Sequence, residues 1–451
     1  MEEASALLTT ARCPGDSPML PVGTIPSCLL SVLEGVRSVF TAPTFATFVS
    51  LVTGLLAATG PRTVTGMWSA AGLAGRSHHA RAHRFFSHAR WDLDSLGLLL
   101  ARQVVARFVP AGQAVTVVVD DTLFHRYGAK THGVFWQHDG SAKGRDGIGR
   151  GNCFVVVGLV VTVPFLTRAV CLPVLFRLHI PKSGVSKPDA ARALVGLLAR
   201  AFPERTLHVV ADAAYRGPAW RTLPGNTTFT TRLAANAVLY ALPPEPTGKR
   251  GHPRWKGEKL GTCTDLAATA TWRTTEVTCY GKTETVHIAT VTCLWWGSLH
   301  RTPVTVVLIK ETDSARPYDI ALVSTDTSAS AETVIARYAD RWSVEQTIKD
   351  SKILIGAGDA ANRLPRAVER TVPFAMLGLT ILTLWYAGHG TPEADLAAAR
   401  ARAPWNRKKC NVSVDDMLIA FRRARITAIS AGQNTVDQNP ARPSTSTSSA
   451  A

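Results

Sequence analysis

The sequence predicts an α/β protein: a helical N-terminal region, a sheet of closely spaced strands, a β-rich insertion, and closing helices. Three observations predict it. Residues 114–122 form a β-branched run closing on two acids, the pattern of a strand buried on both faces. Residues 188–202, opened by Pro188, have helical character and feed a second apolar run that ends at Asp212. Residues 331–351 hold neither Pro nor Gly, so a helix over about 331–354 is expected. With 46% hydrophobic and 18% charged residues in a chain of 451, the composition is that of a globular protein and not a disordered one.

In chain order, Pro14, Pro18, Pro21 and Pro26 argue against a helix in the first forty or so residues. Residues 44–58 read as an apolar helix that stops at Gly60-Pro61, and 62–73 as a short second helix closed by Gly75. Ser77 is the expected cap of a third, residues 78–90, which carries His78, Arg81, Arg84 and His88. Two helices across a short Gly-containing turn, the second rich in Arg and His, suggest a helix-turn-helix-like DNA reader, with plain packing as the competing reading. His79 and His83 share a face, but no HExxH glutamate accompanies them, so phosphate contact or simple exposure is expected over metal binding.

Two further strands are expected at 153–163 and 169–178. The glycine-rich basic loop 140–151 leads into a strand and not a helix, which excludes a dinucleotide fingerprint. Gly281-Lys282-Thr283 has Glu276 where a Walker A loop needs glycine. Three strands, a helix and a fourth strand, with acids at the ends of strands one and four, give the order of a ribonuclease-H-like sheet, and ligands sit at that edge of open α/β sheets. Alternating Thr/Val/Trp segments make 223–325 a β-rich insertion. The apolar window 372–387 holds Pro373 and Gly378 and is shorter than a membrane span, so it reads as a buried core helix. Residues 402–425 turn basic again, with a helix expected past Pro404, and the Ser/Thr/Asn-rich stretch from 430 reads as a disordered tail.

Fifty Lys and Arg against 33 Asp and Glu give a net charge of +17, which favours a polyanionic partner, nucleic acid first. No basic amphipathic anchor or lipidation motif points to a membrane. Met1-Glu-Glu lacks the basic start of a signal peptide, and the eight cysteines are scattered without zinc spacing, so a cytoplasmic protein with reduced thiols is expected.

The chain is organised around Tyr338, Arg341, Glu345 and Lys352. On one continuous helix they fall within a band about 60° wide. A phenol, a guanidinium, a carboxylate and an ammonium on one face suit a phosphodiester held beside a carboxylate-bound metal. The alternative is a solvated face knitted by pairs such as Arg341 with Glu345.

The spacing Tyr-x2-Arg-x3-Glu-x6-Lys resembles the signature around the third acid of bacterial insertion-sequence DDE transposases, the insertion-sequence-four type and its seven-hundred-one kin. The resemblance covers roughly residues 114–387, and 62–91 is similar to the N-terminal region of the latter kin. It implies Asp121, Asp212 and Glu345 as catalytic metal ligands, with Tyr338, Arg341 and Lys352 on DNA phosphates. Alternation cannot choose between Asp120 and Asp121; an Asp followed by Thr is the match, which selects Asp121 and keeps Asp120 in reserve. An all-oxygen site suits two Mg2+ ions, with Mn2+ as a substitute. The implied domains are 1–108 (helical, DNA-binding), 109–222 and 326–428 (catalytic), 223–325 (insertion) and 429–451 (tail). The implied partner is double-stranded DNA, both transposon ends and target, bound by a homodimer in a synaptic complex. Terminal-repeat binding, metal-dependent strand cleavage and strand transfer follow from the resemblance. A ribonuclease-H-like endonuclease without strand transfer, or a domesticated DNA-binding protein, would share many of these residues. Trp295 and Trp296 could resemble a base-receiving tryptophan of hairpin-forming relatives, but buried core is the expected fate of both.

Overall fold

The computed structural model describes residues 25–140, 147–245, 254–279 and 282–437. Five helices come first: α1 (Ser27–Glu34), α2 (Ala42–Ala57), α3 (Val64–Ala70), α4 (Ala80–Ser87) and α5 (Leu93–Phe108). Helix α1 corrects the expectation that the prolines exclude a helix here: Pro26 stands just outside it, where its missing N–H removes no helical bond. Helix α2 is buried around most of its circumference from Phe45 to Leu56. Helix α4 turns Phe85 and Phe86 inward and leaves His78, His79, His83, Arg84 and His88 exposed at or beside it. Its N-cap is His79 and not Ser77, whose carbonyl instead accepts the Trp68 indole at 2.9 Å. In α5, the Asp92 carboxylate caps the first turn through Ser95 N–H at 2.7 Å.

The sheet follows: β1 (Val115–His125), β2 (Phe135–His138), β3 (Ile148–Val161), β4 (Val170–His179), helix α6 (Lys187–Ala201), then β5 (Leu207–Ala211) and β6 (Thr227–Arg232). Ser186 and Asp189 form a capping box that fixes the start of α6. Strands β7 (Leu239–Tyr240) and β8 (Lys259–Gly261), helix α7 (Cys263–Thr269), β9 (Arg273–Cys279), β10 (Lys282–Leu294), α8 (Trp296–Leu299), β11 (Pro303–Glu311) and β12 (Ile320–Ser324) complete it. All belong to one twelve-stranded mixed sheet of order β2-β3-β1-β5-β6-β12-β11-β10-β7-β8, with β4 on β3 and β9 on β10. The strands from 223–325 therefore extend the first sheet through the parallel β5–β6 pair and, beyond it, the antiparallel β6–β12 pair. Strand β1 is antiparallel to β3 and parallel to β5, and β5 is parallel to β6.

The chain ends in helices α9 (Ala331–Asp340), α10 (Ser343–Ile353), α11 (Pro365–His389), α12 (Pro392–Arg402) and α13 (Val414–Asp437). The expected continuous helix over 331–354 is broken. Arg341 N–H reaches Tyr338 O, and Val344 and Glu345 N–H reach Arg341 and Trp342 O, all three-residue bonds of a tightened 3₁₀ junction. Ser343 Oγ donates to Asp340 O at 2.7 Å and takes that freed carbonyl. Among the described residues α11 alone is long and apolar enough to cross a membrane, and 89% of its most apolar window is buried inside the protein. Helix α13 starts well past Pro404 and runs into the stretch expected as tail; residues 438–451, like 1–24, 141–146 of the glycine-rich loop, 246–253 and 280–281, lie outside the described residues. No two described cysteines are bonded.

Candidate active site

Register brings two carboxylates together. The last parallel partners of β1 and β5 are Val119 and Ala211, so Asp120 and Asp212 are the next residue on each strand. Strand neighbours lie about 4.8 Å apart, and partners in a parallel ladder point to one face. Strand β1 does not end at the acids, as the sequence suggested, but continues to His125, so Asp120 and Asp121 project to opposite faces. Asp120 shares its face with Val118, which packs against Val344 and Ile348 of α10. Asp121 faces α6.

Arg341 completes the first group. Its Nη1 lies 3.7 Å from Asp120 Oδ2, and its Nη2 donates to Glu345 Oε1 at 3.1 Å. The 3₁₀ junction holds the guanidinium between these carboxylates, 5.6 Å from the Tyr338 ring centroid. Burial pushes Asp120 up to about 7; the bond from Asp121 N–H and the charge of Arg341 oppose this, while Asp121 and Asp212 add to it. Arg341 resists the lowering that burial imposes, because Tyr338, Asp120, Asp212 and Glu345 surround it, and its pKa rises. Among the described residues its Nε is buried without a hydrogen-bond partner, a donor open to an acceptor from outside. Asp212 caps a 3₁₀ turn (Ala213–Tyr215) by accepting Ala213 N–H, and Thr231 Oγ1 holds its carbonyl at 3.1 Å.

The second group is a half-buried latch around Asp121. Lys187 Nζ donates to its Oδ2 at 2.6 Å, Tyr215 Oη to its Oδ1 at 3.0 Å and Cys153 Sγ to its Oδ2 at 3.2 Å. Burial, and next the charge of Asp121, push the Cys153 thiol up to about 12, so the sulfur stays protonated and donating. Each oxygen of Asp121 is thus engaged by the protein itself.

Lys352 is not among the carboxylates. Its ammonium donates to Leu123 O at 2.9 Å and sits 5.1 Å from the Phe124 ring centroid, and burial lowers its pKa. The reason is the 3₁₀ junction together with the length of β1: α10 runs out over the strand beyond its acids.

Sequence reasoning missed the basic wall beside Asp212. A cavity of about 660 Å³ is lined by Asp212, Arg216, Arg232, Asn236, Arg316 and Tyr318 among others. Arg232 ends β6 and Arg316 lies in the β11–β12 connection, so only the fold unites them. A second cavity of about 540 Å³, between α2 and α4, is lined by Thr47, His78, Arg81, Arg84 and His88 among others. Trp295 is buried, as expected, whereas Trp296 is half-buried against the His300 ring at 4.1 Å between centroids.

Among the described residues no three His, Cys, Asp or Glu side chains are gathered into a metal cluster. The chemistry of the first group still fits a hard divalent cation: two adjacent carboxylates, one held up to about 7 by burial, with Arg341 beside Asp120. Glu345 is drawn to Arg341 and not to the aspartates.

A family model for DDE superfamily endonucleases matches residues 36–193 and 182–295. The match takes in Asp120, Asp121 and Asp212 and stops short of Glu345. No curated protein matches the chain. Nucleases of this superfamily act on DNA and generally depend on a divalent metal. The matched residues cover more than half of the sequence, and the chain belongs to the DDE superfamily of endonucleases.

Proposed function

We propose that the protein is a DNA transposase of the insertion-sequence-four type or its seven-hundred-one kin, cutting double-stranded DNA at terminal inverted repeats and transferring the freed ends to a target. The observation that carries this reading is the placement of Asp120 and Asp212 as the next residues after one parallel ladder, beneath Arg341 and Glu345. Asp120, Asp212 and Glu345 are the proposed catalytic ligands. Asp120 replaces Asp121, which the family spacing had favoured, because Asp121 faces away and both its oxygens are engaged by Lys187, Tyr215 and Cys153.

These three residues would hold two Mg2+ ions, with Mn2+ as a substitute. Bound there, the metal supplies an activated attacking hydroxyl and a stabilised departing 3′ oxygen. Arg341, with its unpaired Nε, and Tyr338 would take the oxygens of the scissile phosphate. Arg216, Arg232 and Arg316 would hold the neighbouring backbone along their shared cavity. Lys352 is assigned a positioning role, fastening α10 to Leu123. The strand order β4-β3-β1-β5-β6, with α6 before β5, supports a ribonuclease-H-like core that takes β6 from the stretch 223–325, and the rest of that stretch would be its insertion. The exposed histidines and Arg84 of α4 support residues 1–108 as a DNA-binding region. Synapsis of two ends would require a homodimer.

The test incubates the full chain with Mg2+, a target plasmid and linear duplexes carrying the inverted repeats that flank its coding sequence. Cleaved 3′ ends and joined products are expected. Cleavage without joining would make the protein an endonuclease alone, and no cleavage in either Mg2+ or Mn2+ would overturn the reading.

A further inference from the structure

We infer that the loop joining α12 to α13, residues 403–413, is a second contact surface for duplex DNA, on the sheet edge opposite the carboxylates. This rests on the proposal above that duplex DNA is the substrate.

The loop is built to present its tip. Asn406 N–H bonds to Ala403 O at 2.9 Å, Lys409 N–H to Asn406 O at 3.3 Å, and Arg400 Nε reaches Lys409 O at 2.9 Å. Asp416, buried at the start of α13, accepts from Arg402 at 2.8 Å and from Ser413 N–H and Oγ at 2.9 and 2.7 Å, and it also pairs with Lys409. Arg402 and Lys409 are therefore committed to holding the loop. Arg407 and Lys408 are not: both are exposed, and among the described residues no carboxylate lies at ion-pair distance from either. Between these cations and Pro404 stands Trp405, 80% exposed.

A fixed turn that spends two cations on its own rigidity, and leaves two others and an indole in water, has the chemistry of a backbone contact with an apolar probe beside it. A lipid surface would call for a broader apolar face, and Trp405 is the loop's one large apolar side chain.

Its place in the fold separates it from the catalytic groups. Asn411 Nδ2 donates to Thr167 Oγ1 at 2.8 Å, which anchors the loop to the β3–β4 turn. Asp121 pairs with Val155 of β3, and the strand runs on to Val161 before that turn. Six residues of strand span roughly 20 Å. At about 3.4 Å per base pair, a duplex lying on the scissile site must extend at least about six pairs to reach the loop.

The experiment measures duplex affinity of the full chain by fluorescence anisotropy over a range of KCl, for Trp405→Ala, Arg407→Ala and Lys408→Ala. Arg200→Ala, at the exposed end of α6, serves as a control of equal charge. Arg407→Ala and Lys408→Ala should each lower the slope of log affinity against log salt by about 0.9, the value for one lost phosphate contact. Trp405→Ala should weaken binding several-fold with the slope unchanged, and Arg200→Ala should match the parent. All three differences should vanish on duplexes trimmed to within about five pairs of the cleavage position on both sides. Parent-like affinity and slope in the three variants would overturn the inference, as would a Trp405→Ala effect on self-association and not on DNA. Failure of the parent chain to bind any duplex would instead strike the proposed function.

Discussion

The Tyr215 hydroxyl donates to Asp121 Oδ1 at 3.0 Å and so ties the 3₁₀ turn that follows Asp212 to the strand that carries Asp120. The two carriers of the proposed metal ligands are thereby fixed relative to each other from behind the sheet. Asp121 N–H completes the relay by donating to Asp120 Oδ1 at 2.8 Å. Tyr215→Phe removes one hydrogen bond to a charged group in a buried place, so it should cost about 1.5–3 kcal/mol in urea unfolding. It should also raise the Mn2+ concentration needed for half-saturation, read by calorimetry without DNA. Wild-type stability and metal binding together would show the latch to be idle.

Arg341 and Lys352, equivalent on an unbroken helix, separate in the fold. Arg341→Ala should slow single-turnover cleavage on the order of 10²-fold, because it removes the group between Asp120 and Glu345 that would orient the phosphate. Lys352→Ala should act mainly on stability, by about 1–3 kcal/mol, since it strips a donor from the Leu123 carbonyl. Equal losses of rate with unchanged stability in both variants would return Lys352 to the phosphates.

Helix α9 is pinned to β9 by Glu332, which accepts from Arg273 at 2.6 Å and from Thr275 at 3.0 Å. The Arg273 bond is the largest of the causes that lower its pKa to about 2. A carboxylate with a depressed pKa stabilises the fold above its ordinary value near 4.5, and that contribution is lost as pH falls towards 2. Both partners are partly exposed, so the contribution should be no more than about 1 kcal/mol. Glu332→Gln should flatten that part of the acid limb of a stability-against-pH curve; an acid limb identical to that of the parent would show that the pair contributes nothing.

How much of this was legible in the sequence differs by element. Strands β1, β3, β4 and β5 and helix α6 follow from β-branched runs and from the start signal at Pro188, because strands buried on both faces are apolar throughout. The same uniformity hides which of Asp120 and Asp121 faces Asp212. That depends on the register of β1 against β5, a pairing between segments ninety or so residues apart. The 3₁₀ junction at Arg341 was equally hidden, since residues 331–351 hold neither Pro nor Gly and the break is a matter of hydrogen bonding at Ser343. Arg232 and Arg316 carry no local signal; the end of β6 and the β11–β12 connection must meet before they form a wall.

Asp120, and not its neighbour, is the proposed first metal ligand. The most direct measurement is single-turnover cleavage of a pre-bound end, with end affinity measured in parallel, for Asp120→Asn and Asp121→Asn. Asp120→Asn should abolish cleavage while leaving end binding close to that of the parent. Asp121→Asn, which weakens the latch to Lys187 and Tyr215, should lose stability and retain measurable cleavage at raised Mg2+. Retained cleavage in Asp120→Asn with complete loss in a folded Asp121→Asn would contradict the account and move the ligand to the opposite face of the strand.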